Sequence, residues 1–154
     1  MTPPSTLDHA GIEARIPHRG RMCLLGRMTA WSEDRIECVA SDHRDAAHPL
    51  RTRSGLLASA AIEYAAQAMA LHGALSASAH GEEALPGFLA SARDVRLRVA
   101  RLDDLAGDLV VIADRRAADA GRLLYAFSLQ HDGCEIATGR IAVVLGTADA
   151  ALPS

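Results

Sequence analysis

A chain of 154 residues and 16.2 kDa, 49% apolar and 23% charged, has the size and balance of one packed domain and lies far from a disordered composition. It holds no lysine, and 16 arginines against 19 acidic residues give a net charge of −3, without the long basic tract that a nucleic-acid backbone or an anionic membrane would require. The aromatic residues, Trp31, Tyr64, Phe88, Tyr125 and Phe127, are too few for a base-stacking surface.

The opening residues carry Pro3, Pro4, Ser5 and Gly11 and read as a frayed lead-in over 1–11, inside a single domain spanning 1–154. They show no cationic segment followed by an apolar stretch, so the expected location is the cytoplasm. Met22 to Thr29 reads as a strand or extended segment, and Arg35 to Ser41 alternates as a half-buried strand. His43 to Ser54 is polar and reads as a loop, where function often resides.

Gly55 to Ala79 is the one long helix, rich in Ala, Leu and Met and free of internal proline. Leu57, Ala61, Tyr64, Ala68 and Leu71 make one face, but Leu56, Ala60, Ala65 and Met69 extend the apolar surface, so other elements should enclose it. Its most apolar span, Leu56 to Leu71, is interrupted by Ser59, Glu63 and Gln67 and is shorter than the ~18 uninterrupted apolar residues that a membrane crossing needs. Gly81 and Pro86-Gly87 end it. Four strands follow, over Phe88 to Arg101, Gly107 to Arg115, Leu123 to Gln130 and Glu135 to Leu145, the last two flanking His131-Asp132-Gly133, a turn with hairpin chemistry. The string predicts an α+β domain whose antiparallel sheet wraps around one long buried helix. Cys23, Cys38 and Cys134 are scattered, with no CxxC pair and no histidine at ligand spacing, and read as reduced core thiols rather than a disulfide frame or a metal site.

The stretch Ile16-Pro17-His18-Arg19-Gly20-Arg21-Met22-Cys23-Leu24-Leu25 resembles the Pro-His-Arg…Leu-Leu segment that opens beta-hydroxyacyl-ACP dehydratases of the hotdog fold. Ile62-Glu63-Tyr64-Ala65-Ala66-Gln67-Ala68 is similar to their Glu-Ala-Met-Ala-Gln-Ala helix, and His48-Pro49 precedes it as their catalytic histidine precedes the glutamate. Met-Cys-Leu-Leu and Ile-Glu-Tyr-x-Ala-Gln together resemble most the aryl-polyene-type branch, and the likeness spans Ile16 to about Leu145. Leu57 and Ala58 stand where better-known members carry Pro-Gly, and the His48-to-Glu63 separation is one residue longer than usual.

The resemblance implies dehydration of a 3-hydroxyacyl thioester to the trans-2-enoyl thioester, in fatty-acid-like or aryl-polyene synthesis. It needs no cofactor, since the substrate rides on the phosphopantetheine of an acyl carrier protein. The chemistry calls for a base at C2, an acid at the C3 hydroxyl and a donor for the enolate oxygen. His48 and Glu63 would be base and acid, contributed to one site by different subunits of a dimer or larger homo-oligomer, or of a hetero-dimer with another hotdog dehydratase. Buried in an Ala-rich helix, Glu63 would have its pKa raised and so act as an acid. The helix start would supply the backbone donor, at Ala58 or failing that Gly55.

The residues themselves leave plainer readings open. His48 could be a solvated loop histidine, and Glu63 could be salt-bridged to Arg51 or Arg53. Gln67 could orient Glu63 or satisfy a backbone group; His18 could line a substrate tunnel or hydrogen-bond its own turn. His72 should pack on the helix and Cys23 should be a buried thiol. Arg93, Arg96, Arg98 and Arg101 form either a solvated face or a dock for an acidic carrier. Three functions remain: a dehydratase, a non-catalytic hotdog partner of an active dehydratase, and a thioesterase on the same fold, where the acid would act on water or attack directly.

Overall fold

The computed structural model describes residues 2–146, so residue 1 and residues 147–154 of the expected domain lie outside the described residues. In chain order the elements are β1 (Leu7–Asp8), α1 (His9–Glu13), β2 (Arg27–Trp31), β3 (Arg35–Ala40), α2 (Ala61–Ala79), β4 (Gly87–Leu97), β5 (Leu109–Asp119), β6 (Arg122–His131) and β7 (Cys134–Leu145). The strands form one antiparallel sheet in the order β1-β2-β3-β5-β6-β7-β4, which packs against the single long helix as the hotdog fold.

Several boundaries differ from the sequence expectation. The lead-in is not frayed over its whole length: Leu7–Asp8 pairs with Met28 and Arg27, the Asp8 carboxylate caps α1 by accepting from the Gly11 amide at 2.8 Å, and Ile12 is fully buried. Residues 20–22 form a 3₁₀ turn and β2 begins only at Arg27, because Met22 O and Leu24 N are tied to Gln67 of α2, and the segment reaches β3 first at Gly26, whose amide donates to Val39 O at 2.8 Å. The long helix starts six residues late. Leu57 is extended and bridged to Arg101, the Ala58 amide donates to Ala100 O, and a short 3₁₀ turn over Ala58–Ala60 leads into α2.

Asp103 explains that delay. Its carboxylate accepts from the Leu56 amide at 2.9 Å and is gripped by Arg101 at 2.6 Å and Arg51 at 3.4 Å, with the Arg101 guanidinium first among the groups that hold it well below the usual carboxylate range. Gly55 sits at φ +98° against this cluster, where a Cβ would come within 2.6 Å of the Asp103 carboxylate.

Tyr64, Ala68, Leu71 and Leu75, at helical spacing, are the face of α2 turned into the core. They meet inward residues of the sheet such as Ile36, Val111, Tyr125 and Leu129. Each buried leucine contributes roughly 1.5–3 kcal/mol. The helix ends in a Schellman motif: the Glu82 amide bonds Ala77 O at 2.8 Å, the Gly81 amide bonds Ser78 O at 3.1 Å, and Gly81 takes φ +68°. The expected enclosure is incomplete, since Glu63, Ala66, Ala70, Gly73 and Ala77 share an α2 face that the sheet leaves partly or fully open. β4 is the sheet edge beyond β7 and is exposed along most of its length, including Phe88, Leu89 and Leu97. Of the cysteines, Cys23 and Cys38 are buried and Cys134 is exposed at the start of β7, which corrects the core reading for the third. Burial pushes the Cys38 thiol up to about 12, so it is inert.

Candidate functional site

Two adjacent residues in the first turn of α2, Glu63 and Tyr64, lie on different sides of the helix, and each meets a histidine from an earlier loop. Tyr64 points inward. Its hydroxyl donates to Asp42 Oδ1 at 2.7 Å and lies 3.0 Å from His48 Nε2, while Asp42 Oδ2 is 3.4 Å from the same nitrogen. The Leu50 amide donates to His48 Nδ1 at 3.1 Å. This network assigns the tautomer: Nδ1 accepts, so Nε2 carries the hydrogen and gives it to the Tyr64 oxygen. Both ring nitrogens are therefore engaged, and the His48 side chain is 0% exposed.

Electrostatics follow from that enclosure. Burial lowers the His48 pKa, opposed by the negative charge of Asp42, and burial raises that of Asp42 against the lowering effect of the Tyr64 hydrogen bond. Burial likewise raises Tyr64, which stays a phenol. On the solvent side of the trio lies a cleft of about 410 Å³, lined by Gly20, Arg21, Cys23, Asp42, Asp45 and His48 among others, with Arg21 and Asp45 paired at 3.0 Å.

Glu63 has different partners. Its Oε1 accepts from Gln67 Nε2 at 3.1 Å and lies 3.3 Å from His18 Nε2, with about a third of its side chain exposed. Gln67 is fully buried and does both jobs considered for it: Oε1 accepts from the Leu24 amide and Nε2 donates to Met22 O, each at 2.8 Å, besides holding Glu63. His18 sits on a turn fixed by Arg19, whose guanidinium donates to the carbonyls of Glu13, Ile16 and His18, and by the Gly20 amide, which donates to Glu13 Oε2 at 2.9 Å.

Of the sequence-predicted site residues, Glu63, Gln67 and His18 are thus brought together, and His48 stands apart within the same chain. Within the single chain Glu63 is about a third exposed, because the sheet covers the opposite side of α2; its enclosure would need a second chain. The salt bridge alternative is also replaced: Arg51 pairs with Asp103, and the carboxylate meets an imidazole. Neither candidate backbone donor is free, since the Ala58 amide donates to Ala100 O and the Gly55 amide to Thr52 O, both at 3.0 Å. The sequence does not mark Asp42 and Tyr64 as partners of His48, since nothing in their spacing distinguishes them from a loop acid and a core aromatic. His72 does pack in the core, between the Tyr125 hydroxyl and Ser32 O. Arg93, Arg96 and Arg98 are exposed, whereas Arg101 is committed to Asp103. Among the described residues no group of three or more metal-ligating side chains comes together, and no helix is long and apolar enough to cross a membrane.

The model of the ApeP-like family, described as ApeP dehydratase, matches residues 10–152. A search of curated proteins gives no match. Among solved structures, a chain of the dehydratase heterocomplex ApeI:P from Xenorhabdus doucetiae is similar with a TM-score of 0.79 and 22% identity, over 89% of this chain and 91% of that one. The PaaI protein of the E. coli phenylacetic acid degradation operon is similar at 0.56 and 11%, over 76% and 80%. A hypothetical thioesterase with coenzyme A from Streptococcus pneumoniae TIGR4 stands at 0.54 and 9%, over 77% and 84%. At these identities the structural likenesses speak for the fold.

Proposed function

The chain belongs to the ApeP dehydratase family, and from that premise we propose that it is one hotdog subunit of a carrier-protein dehydratase complex, supplying Glu63 to a site whose imidazole comes from a second hotdog chain. The observation that carries this reading is the asymmetry at the start of α2: Glu63 lies on the open helix face, while this chain's own His48 is sealed with both nitrogens occupied. A base needs a free lone pair within reach of the proton it takes. His48 as placed offers none.

Two surfaces favour one place for the partner. The outer edge of β4 leaves backbone donors and acceptors unpaired in the single chain, and the open face of α2 carries small residues, Ala66, Ala70, Gly73 and Ala77, that permit close helix approach. A second hotdog chain whose edge strand continues the sheet past β4 covers that face and removes water from Glu63. The similarity to a chain of a dehydratase heterocomplex supports a second chain as the partner.

In the composite site the partner's imidazole takes the C2 proton of a 3-hydroxyacyl thioester. The freed electron pair forms the C2–C3 double bond as the C3–O bond breaks, and Glu63 protonates the departing hydroxyl, which leaves as water. The acyl chain arrives on the phosphopantetheine of an acyl carrier protein, an acidic partner that Arg93, Arg96 and Arg98 would attract.

The test is to assay formation of the conjugated enoyl thioester by this chain alone and by its complex with the hotdog chain that co-purifies with it. Product only from the complex, lost when this chain carries Glu63→Gln, is the expected result. Full turnover by the isolated chain, or an unaffected Glu63→Gln complex, overturns the reading.

A further inference from the structure

We propose that His18 is a positioning residue for Glu63: its imidazole and the Gln67 amide hold one carboxyl oxygen, so that the other is the oxygen presented to the substrate. This rests on the composite-site reading above and goes beyond it by assigning which atom of Glu63 works.

The geometry is specific. His18 Nε2 and Gln67 Nε2 converge on the same atom, Glu63 Oε1, at 3.3 and 3.1 Å. The other ring nitrogen, His18 Nδ1, is buried and has no hydrogen-bond partner among the described residues. A buried N–H left without an acceptor costs more than a lone pair left without a donor. The hydrogen therefore sits on Nε2 and points at Oε1. His18 makes no side-chain hydrogen bond to its own turn; the turn is held instead by the Arg19 guanidinium and the Gly20 amide. The polar work of this imidazole is thus directed at the carboxyl.

Two donors on Oε1 also fix the plane of the carboxyl group. Gln67 cannot swing away, because Leu24 N and Met22 O hold the remaining positions of its amide at 2.8 Å. Oε2 is then the oxygen turned away from both donors, and the proton given to a departing hydroxyl travels through it. Loss of one donor lets the carboxyl rotate, and misplacement by about 1 Å can cost about 100-fold in rate.

The experiment has two arms. In the first, the purified chain is labelled at its histidine ring nitrogens and compared with Glu63→Gln by ¹⁵N NMR. The His18 resonances are expected to show the Nε2–H tautomer and to move on substitution, and unmoved resonances overturn the pairing whether or not the protein is a dehydratase. In the second, dehydration by the complex is measured for His18→Leu and His18→Gln, the latter keeping an N–H donor near the Nε2 position. His18→Leu should lower kcat about 10–100-fold with KM nearly unchanged, and His18→Gln should restore most of it. An unchanged kcat in His18→Leu, or equal losses in both variants, overturns the positioning role. If Glu63→Gln leaves the complex fully active, the composite-site reading fails, and the ring-nitrogen arm still decides the pairing.

Discussion

Two histidines meet the first turn of α2 one residue apart, and their fates diverge. His48 reaches Tyr64 on the inner side, where desolvation, a phenol and a carboxylate lock it into a closed network. His18 reaches Glu63 on the outer side, where the carboxyl is partly open and one imidazole nitrogen has no partner among the described residues. About 100° of helix rotation separates successive side chains. The contrast teaches that a histidine's availability for chemistry is set by how many of its lone pairs and hydrogens the fold has already spent.

The sharpest way to break this contrast is at Glu63. Glu63→Gln in the complex should reduce turnover about 10²–10⁴-fold, the usual worth of a positioned acid or base, while denaturant unfolding of the chain stays close to that of the parent. Next in size is Tyr64→Phe. It strips the hydroxyl that joins His48 to Asp42 and leaves buried polar atoms short of a partner, for a loss of about 1–3 kcal/mol in urea unfolding. Gln67→Leu should fall in the same range, because it orphans Leu24 N and Met22 O; unlike Tyr64→Phe, it should also reduce turnover by freeing Glu63.

A smaller effect is expected from acid. Burial holds the His48 and His72 pKa values below their ordinary 6.5, so each contributes stability that is complete above that value and is lost as pH falls through the lower folded values. Asp42, raised by burial, acts with the opposite sign, which makes His72 the cleaner reporter. Thermal unfolding between pH 7.5 and 5 should show a falling Tm whose slope flattens in His72→Gln. Smallest of all, Arg21→Ala removes an exposed ion pair with Asp45 and should leave Tm unchanged within error.

The element string was legible because its signals are local. Alternation on the strands, the Ala-rich proline-free helix and the Asp132-Gly133 turn, with φ of 50° and 77°, each depend on a few neighbouring residues. The order of those elements and the Pro-His-Arg and Glu-x-x-x-Gln stretches then sufficed for the fold and for the grouping of Glu63 with Gln67, which are one turn apart. What stayed hidden was non-local. The helix start moved to Ala61 because an acid more than forty residues downstream, Asp103, claims the Leu56 amide and draws the preceding segment into an extended bridge. His18 looked like a turn residue, since nothing in the sequence tells that Arg19 would take over the turn's carbonyls and release the imidazole for Glu63. His48 looked available because its partners come from a loop aspartate and the following helix, and burial cannot be read from a polar loop.

The bare outer margin of β4 reaches beyond catalysis. Its first residues, ahead of the irregularity between Leu89 and Ser91, place Phe88 and Leu89 in water on opposite faces of an unpaired edge, which is a template on which identical chains can stack. If a second chain shields that margin, as proposed, protein made in excess of it should clump and be cleared, and its cellular amount would follow the supply of that chain.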